Sequence, residues 1–256
     1  MKSFIAFIKK ELMDQARSNK LLFIGIIFAA FGIMNPAVAK MTPWLLEMMA
    51  DSLAESGMTV STVTVSAFDS WVQFFKNIPM ALLVFVLLQG NIFTKEYDSG
   101  TLVLSLTKGL ERFKVVLAKV LMLCSLWTLG YCLCFGITTF YNVYYWDSGI
   151  NNRIIFALIS WWLFGVFVIS LITFFSVISR TNSSVLLGTA GVIFGSYLLG
   201  LIPKISEYLP TFLVDSNSLI YQKLDINNYV AALIIVSILS IFCFVISIPL
   251  FNKKQL

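Results

Sequence analysis

Apolar residues run through this chain in six long stretches, separated by shorter segments that hold nearly all of the charge. The stretches cover 21–39, 78–93, 115–141, 154–178, 185–202 and 229–251. Most approach the roughly 20 apolar residues a helix needs to cross a bilayer core of about 30 Å, and none alternates as a membrane β-barrel strand does. The pattern predicts an all-α integral membrane protein with six transmembrane helices, forming a single transmembrane domain over 1–256. The second stretch is short for a span, so its helix is expected to continue into the polar segment that follows it.

The segments between the stretches carry their own patterns. In residues 1–20, Phe4, Ile8 and Leu12 recur every four positions with Ile5 beside them, while Lys9, Lys10, Asp14 and Arg17 take the other faces. That spacing predicts an amphipathic helix in the headgroup region. Lys9, Lys10, Glu11 and Asp14 interrupt the apolar run, which does not fit the continuous core of a secretory signal. Segments 40–77 and 203–228 are apolar without being long enough to span. They are expected at the outer interface, or dipping partway in as re-entrant pieces.

The segment 94–114 is the most structured of these. The helix arriving from the second stretch can end near Ser99, where Gly100 supplies a left-handed cap. Thr101 can then cap a short apolar helix containing Leu102 and Leu106. Lys108 and Gly109 break that helix, and Glu111 opens the next with an acid in its first turn. The result is a shaped knob, suited either to docking a partner or to packing only on its own chain.

Composition agrees with the pattern. Hydrophobic residues are 59% of the chain, charged residues 12%, and mean hydropathy is +0.88, whereas soluble domains carry roughly a quarter charged residues. Of the 18 lysines and arginines, only Lys40, Lys76, Arg153, Lys204 and Lys223 fall on one side of the six stretches. The excess on the other side predicts a cytoplasmic-membrane protein with both termini in the cytosol. The net charge of +5 is thus read as a topology signal facing anionic lipids. Its bases are spread over separate short loops, so no nucleic-acid partner is expected.

Candidate chemistry is sparse. Histidine is absent, and Cys124, Cys132, Cys134 and Cys243 all fall in apolar runs, as small buried hydrophobes rather than metal ligands or disulfides. There is no GxxxxGK phosphate loop, HExxH or GxSxG. No acid or base stands mid-stretch, which argues against an ion-driven carrier. Gly191 and Gly195 form a GxxxG pair that lets a helix of this chain or of a second protomer approach closely. Gln89 and Asn91 are candidates to line a pathway near its inner mouth.

Glu96, Ser99, Gly100, Thr101 and Leu102, followed by Arg112 and Lys119, resemble the loop between spans two and three of ABC-2 type permeases. These are membrane subunits of one class of ATP-binding-cassette exporter. Lys10, Glu11 and Leu12 with Arg17 resemble the elbow helix of the same family. Lys108 to Glu111 departs from it, standing where many members have a proline-containing turn. The resemblance implies an N-terminal elbow helix and a short cytosolic coupling helix between spans two and three. Glu96, Ser99, Gly100, Thr101, Leu102, Leu106 and Arg112 would then meet a separate ABC-type ATPase. It also implies a second permease copy or related permease, and a lid between spans five and six. ATP and magnesium would belong to the ATPase, with no cofactor, metal or catalytic residue in this chain. The expected function is export of a hydrophobic, amphipathic or peptide-like cargo. The alternatives are a membrane anchor or sensor for a cytosolic partner, and a secondary carrier.

Overall fold

The computed structural model describes residues 2–49, 64–107 and 109–254. The middle of the 40–77 segment, and Lys108, lie outside them. Every regular element among the described residues is helical, and six helices are long and apolar enough to cross a membrane.

Helix α1 (Lys2–Arg17) turns at Asn19, which takes a left-handed φ of 55°, into α2 (Lys20–Met48). Helix α2 runs well beyond residue 39, with Pro36 and Pro43 inside it. Helix α3 (Ala67–Gln89) begins about three turns before the expected start of the second span. Ser66 and Asp69 box its N-terminus, the Ser66 N–H donating to Asp69 Oδ2 at 2.9 Å. Trp71, Phe74 and Phe75 therefore lie in the core and not at an interface. The apolar positions continue through Ile78, Leu82 and Phe85 at helical spacing. The two polar residues just before Ile78 face elsewhere. Lys76 is exposed, and Asn77 donates to Asn35 Oδ1 at 2.8 Å.

Two short helices, α4 (Thr94–Asp98) and α5 (Thr101–Thr107), follow; the remaining spans are α6 (Arg112–Tyr145), α7 (Asn152–Ile178), α8 (Asn182–Leu199) and α11 (Ile226–Lys253). Helices α2, α3 and α6 pack together, α7 packs on α11, and α6 touches both α7 and α11. Close approach is made by glycines. A Cβ on Gly165 of α7 would stand 2.2 Å from the Trp127 ring of α6, and one on Gly130 would stand 2.8 Å from Phe28 of α2. The Trp127 indole donates to the Trp162 carbonyl at 3.1 Å, so the ring's polar edge is satisfied. Asn35 also donates to Thr138 Oγ1 at 3.1 Å, which ties α2, α3 and α6 by uncharged polar groups. Cys134 is buried nearby, but Cys132 is exposed on the outside of the bundle.

Between α8 and α11 lie α9 (Pro203–Ser206), a 3-10 turn (Pro210–Val214) and α10 (Ser216–Ile220). This segment tucks into the bundle end away from the termini. Leu213, Leu219 and Ile220 are buried, and the Trp161 indole of α7 donates to Ser216 Oγ at 2.7 Å.

Candidate functional site

The opposite end of the bundle, where both termini lie, gathers most of the residues singled out in the sequence. Its centre is Lys119, which lies inside α6 and is fully buried. Its Nζ is 3.2 Å from both Glu11 carboxylate oxygens, 2.8 Å from Glu96 Oε2 and 2.9 Å from the Ile92 carbonyl. The faces of Phe93 and Phe7 lie 5.3 and 5.9 Å away. Lys10 pairs with Glu96, and reaches Glu11 at 3.2 Å and Asp14 at 3.4 Å. Burial opposes the charged form of Lys10, but the facing Glu96 and Glu11 carboxylates hold its pKa above the ordinary lysine value. Buried charges persist only when paired, because taking an ion from water costs several kcal/mol. Here two cations and the acids of α1 and α4 satisfy one another. Glu96, which the resemblance set against the ATPase, turns inward, because Lys119 and Lys10 are within reach.

Helix α1 presents a mixed stripe to the protein. Phe7, Glu11 and Gln15 are buried at four-residue spacing, while Ile5 and Leu12 stay exposed. The apolar stripe is thus divided: Phe4 and Ile8 pack against the core beside Glu11 and Gln15, and Ile5 and Leu12 face outward. Gln15 and Gln89 exchange two amide hydrogen bonds of 3.0 Å. Lys20 donates to the Leu88 carbonyl and to Asn91 Oδ1, both at 2.6 Å. Gln89 and Asn91 therefore fasten α1 and α2 to the end of α3. Gln89 is buried, and Asn91 lines a cavity of about 340 Å³ with Lys20 and Lys95.

The knob forms as the residue types dictate. Gly100 separates α4 from α5 with φ +65°, and Gly109 follows α5 with φ +85°. Nothing lies within 4 Å of a Cβ at Gly100, so its requirement is the backbone angle and not space. Ser99 Oγ and Thr101 Oγ1 are 2.9 Å apart across the turn. Leu102, expected to press into a partner, is buried in this chain's own core, because the apolar face of α5 turns toward the bundle. Leu106 is half-buried, and Val103 is exposed. Arg112 faces its own chain, donating to the carbonyls of Phe251, Asn252 and Lys254 at 3.1, 3.0 and 2.7 Å. Arg17 is exposed on α1. A cavity of about 290 Å³ beside the knob is lined by Tyr97, Asp98, Val103, Arg180 and Lys254, among others.

Carboxylate oxygens of Glu11, Asp14 and Glu96 lie within 4.8 Å of one another. Lys10 reaches all three and Lys119 reaches Glu11 and Glu96, so each carboxylate has an internal cation within ion-pair distance. Gln15, Asn35, Asn77, Tyr97 and Lys254 are structural participants the sequence did not single out. Gln15 alone left a trace, four residues beyond Glu11 on one helical face.

Gly191 and Gly195 on α8 have nothing within 4 Å of a Cβ, so the pair brings together no helices within this chain. Between α3, α7 and α8 an apolar groove of about 540 Å³ opens, lined by residues including Pro79, Leu83, Leu87, Phe164, Phe194 and Tyr197.

Six apolar helices with a helical knob beside a paired N-terminal helix are the architecture of a multi-pass membrane protein. The family of ABC-2 family transporter proteins matches residues 5–209, and the chain belongs to that family. It is a multi-pass permease of an ABC transporter, a membrane component whose kind works with an ATP-hydrolysing subunit. No curated protein matches the chain.

Proposed function

We propose that this permease exports an apolar or amphipathic cargo across the cytoplasmic membrane, using ATP hydrolysed by a subunit docked at the α4–α5 knob. The observation that carries this is the ion-pair junction of Lys10, Glu11, Glu96 and Lys119, which holds α1, the knob and the third span as one unit. A force applied at the knob has a stiff path to the transmembrane helices. The basic excess of this end supports a cytosolic position for it and for both termini. The groove on α3, α7 and α8 supports the cargo class, since its wall offers dispersion contacts and almost no polar groups. The open face at Gly191 and Gly195 supports pairing with a second permease, whose α8 could approach closely there.

The test uses the ATP-binding subunit that copurifies with the chain from its native membrane. Val103→Glu puts a charge at the exposed Val103 of α5, where docking would bury the rest of a side chain whose full burial is worth about 1.5–3 kcal/mol. Retention of the ATPase should fall about tenfold or more, with thermal stability of the permease unchanged. Full retention removes the knob as the docking site. If the wild-type pair moves no fluorescent phospholipid and shows no cargo-stimulated hydrolysis while the ATPase stays bound, the chain is a membrane anchor.

A further inference from the structure

Helices end with carbonyls that have no intrahelical partner, and two helix ends near the knob are closed by side chains from elsewhere in the chain. Helix α7 ends at Ile178. Lys254 Nζ, just past the end of α11, donates to the carbonyls of Val177 and Ser179, each at 2.7 Å, and approaches that of Ser176 at 3.5 Å. The same ammonium stands 4.1 Å from the centre of the Tyr97 ring on α4. The Tyr97 hydroxyl donates to the Ser176 carbonyl at 3.2 Å. Phe251, fully buried one turn earlier on α11, meets the Phe93 ring at 6.2 Å. Lys254 is tied in turn to the start of α6, because Arg112 holds its carbonyl.

A lysine that merely closed α7 would need the carbonyls and nothing more. This one also touches α4 through the Tyr97 ring, and Tyr97 shares the Ser176 carbonyl with it. Helix α4 thus has two attachments on consecutive residues. Glu96 grips α1 and α6, and Tyr97 grips the ends of α7 and α11. The second attachment lies partly in residues beyond the family match, which ends at 209.

We propose that Lys254 is a positioning residue for coupling, its ammonium fastening α4 to the ends of the fourth and sixth spans so that movement of the knob reaches both. This rests on the knob being where ATP hydrolysis is felt. The charged groups around Lys254 are Arg180 in the α7–α8 turn, Glu96 and Asp98 on α4, and Arg112 on α6. Glu96 is committed to Lys10 and Lys119. Burial, with Arg180 adding to it, pushes the Lys254 ammonium down to about 8. The cation over Tyr97 is therefore present below that pH and lost as pH rises through it.

The experiment measures cargo moved per ATP hydrolysed, using a fluorescent phospholipid and the permease with its copurified ATPase in proteoliposomes. Lys254→Met should lower the ratio about fivefold or more, the low end of typical coupling between sites, with ATPase retention unchanged. Lys254→Arg should restore it. The arginine variant should also hold its ratio from about pH 7 to about pH 9, while the wild-type ratio falls through about 8. Should Lys254→Met not fold, Tyr97→Leu removes the ring, leaves the lysine on its carbonyls, and should lower the ratio likewise. A wild-type ratio in either variant overturns the proposal, as does the same pH dependence in wild type and Lys254→Arg. If the wild-type pair moves no cargo at all, it is the exporter reading that has failed. The attachment is then judged in the permease alone, where Lys254→Met should speed amide exchange across 94–107. Unchanged exchange there sinks the attachment as well.

Discussion

At the scale of single residues, the largest consequences attach to Lys119. Replacing it with methionine leaves Glu11 and Glu96 buried with only Lys10 to share, a situation that costs about 3–5 kcal/mol when a buried pair is broken. Lys119→Met should therefore lower the melting temperature of the detergent-solubilised permease substantially. Adding Glu11→Gln should recover part of the loss, since it removes one of the stranded carboxylates. If the double variant is as unstable as the sum of the two singles, the two groups are not coupled. By comparison, Gly100→Val forces an L-residue toward a left-handed angle at roughly 1–2 kcal/mol, a smaller and local cost. The charged residues of the junction were all legible in the sequence as charges beside spans. Their pairing was not, because Glu11 lies 108 residues from Lys119 and Lys10 lies 86 from Glu96. An acid at the end of a helix with no local partner reads as outward-facing; only the packing of three distant elements reveals that its partners are internal.

At the scale of elements, the apolar period carried further than the boundaries drawn from it. The second stretch starts at residue 78, after Lys76 and Asn77, yet helical spacing places Trp71, Phe74 and Phe75 on one face with Ile78 and Phe85. One polar residue of that pair is exposed, and the other joins Asn35. Lys76→Gln should consequently be close to neutral. Asn77→Leu should cost about 0.6–2 kcal/mol, the range measured for hydrogen bonds between membrane helices. Thermal unfolding of both variants checks this, and equal effects would mean that the Asn35 bond is not stabilising. The number and order of the spans were legible, because six apolar runs leave few other solutions in lipid. The course of α1 was only half legible. Its apolar stripe shows as Phe4, Ile5, Ile8 and Leu12, but its buried face includes Glu11 and Gln15, residues that no apolar stripe contains.

At the scale of the whole molecule, the glycines divide into those that close this bundle and those that leave a face open. Gly165 meets the Trp127 ring so closely that Gly165→Ala must displace it, at about 1–3 kcal/mol or more for overpacking. At Gly191 and Gly195 a Cβ meets nothing within 4 Å among the described residues, so Gly191→Leu and Gly195→Leu begin in open space. Both should leave the melting temperature of the isolated permease near wild type and reduce the fraction that runs as a pair by native mass spectrometry. A pair that persists in both variants would place the partner's surface elsewhere. GxxxG was visible in the sequence, but whether it faced inward depended on the rotation of α8, which a short repeat does not determine.

The consecutive attachments of α4 also limit how the bundle can open. One group of helices, α1, α2, α3 and α6, is held through Glu96, and the other, α7 and α11, through Tyr97. Adjacent Cα atoms are about 3.8 Å apart whatever the chain does. Near the knob, the two groups therefore share a seam in which adjacent residues of α4 hold one group each, beside the bonds from Arg112 of α6 to the end of α11. A slide of one group past the other by a helical turn of about 5.4 Å would require the Glu96 or the Tyr97 side chain, and Arg112, to release its hold.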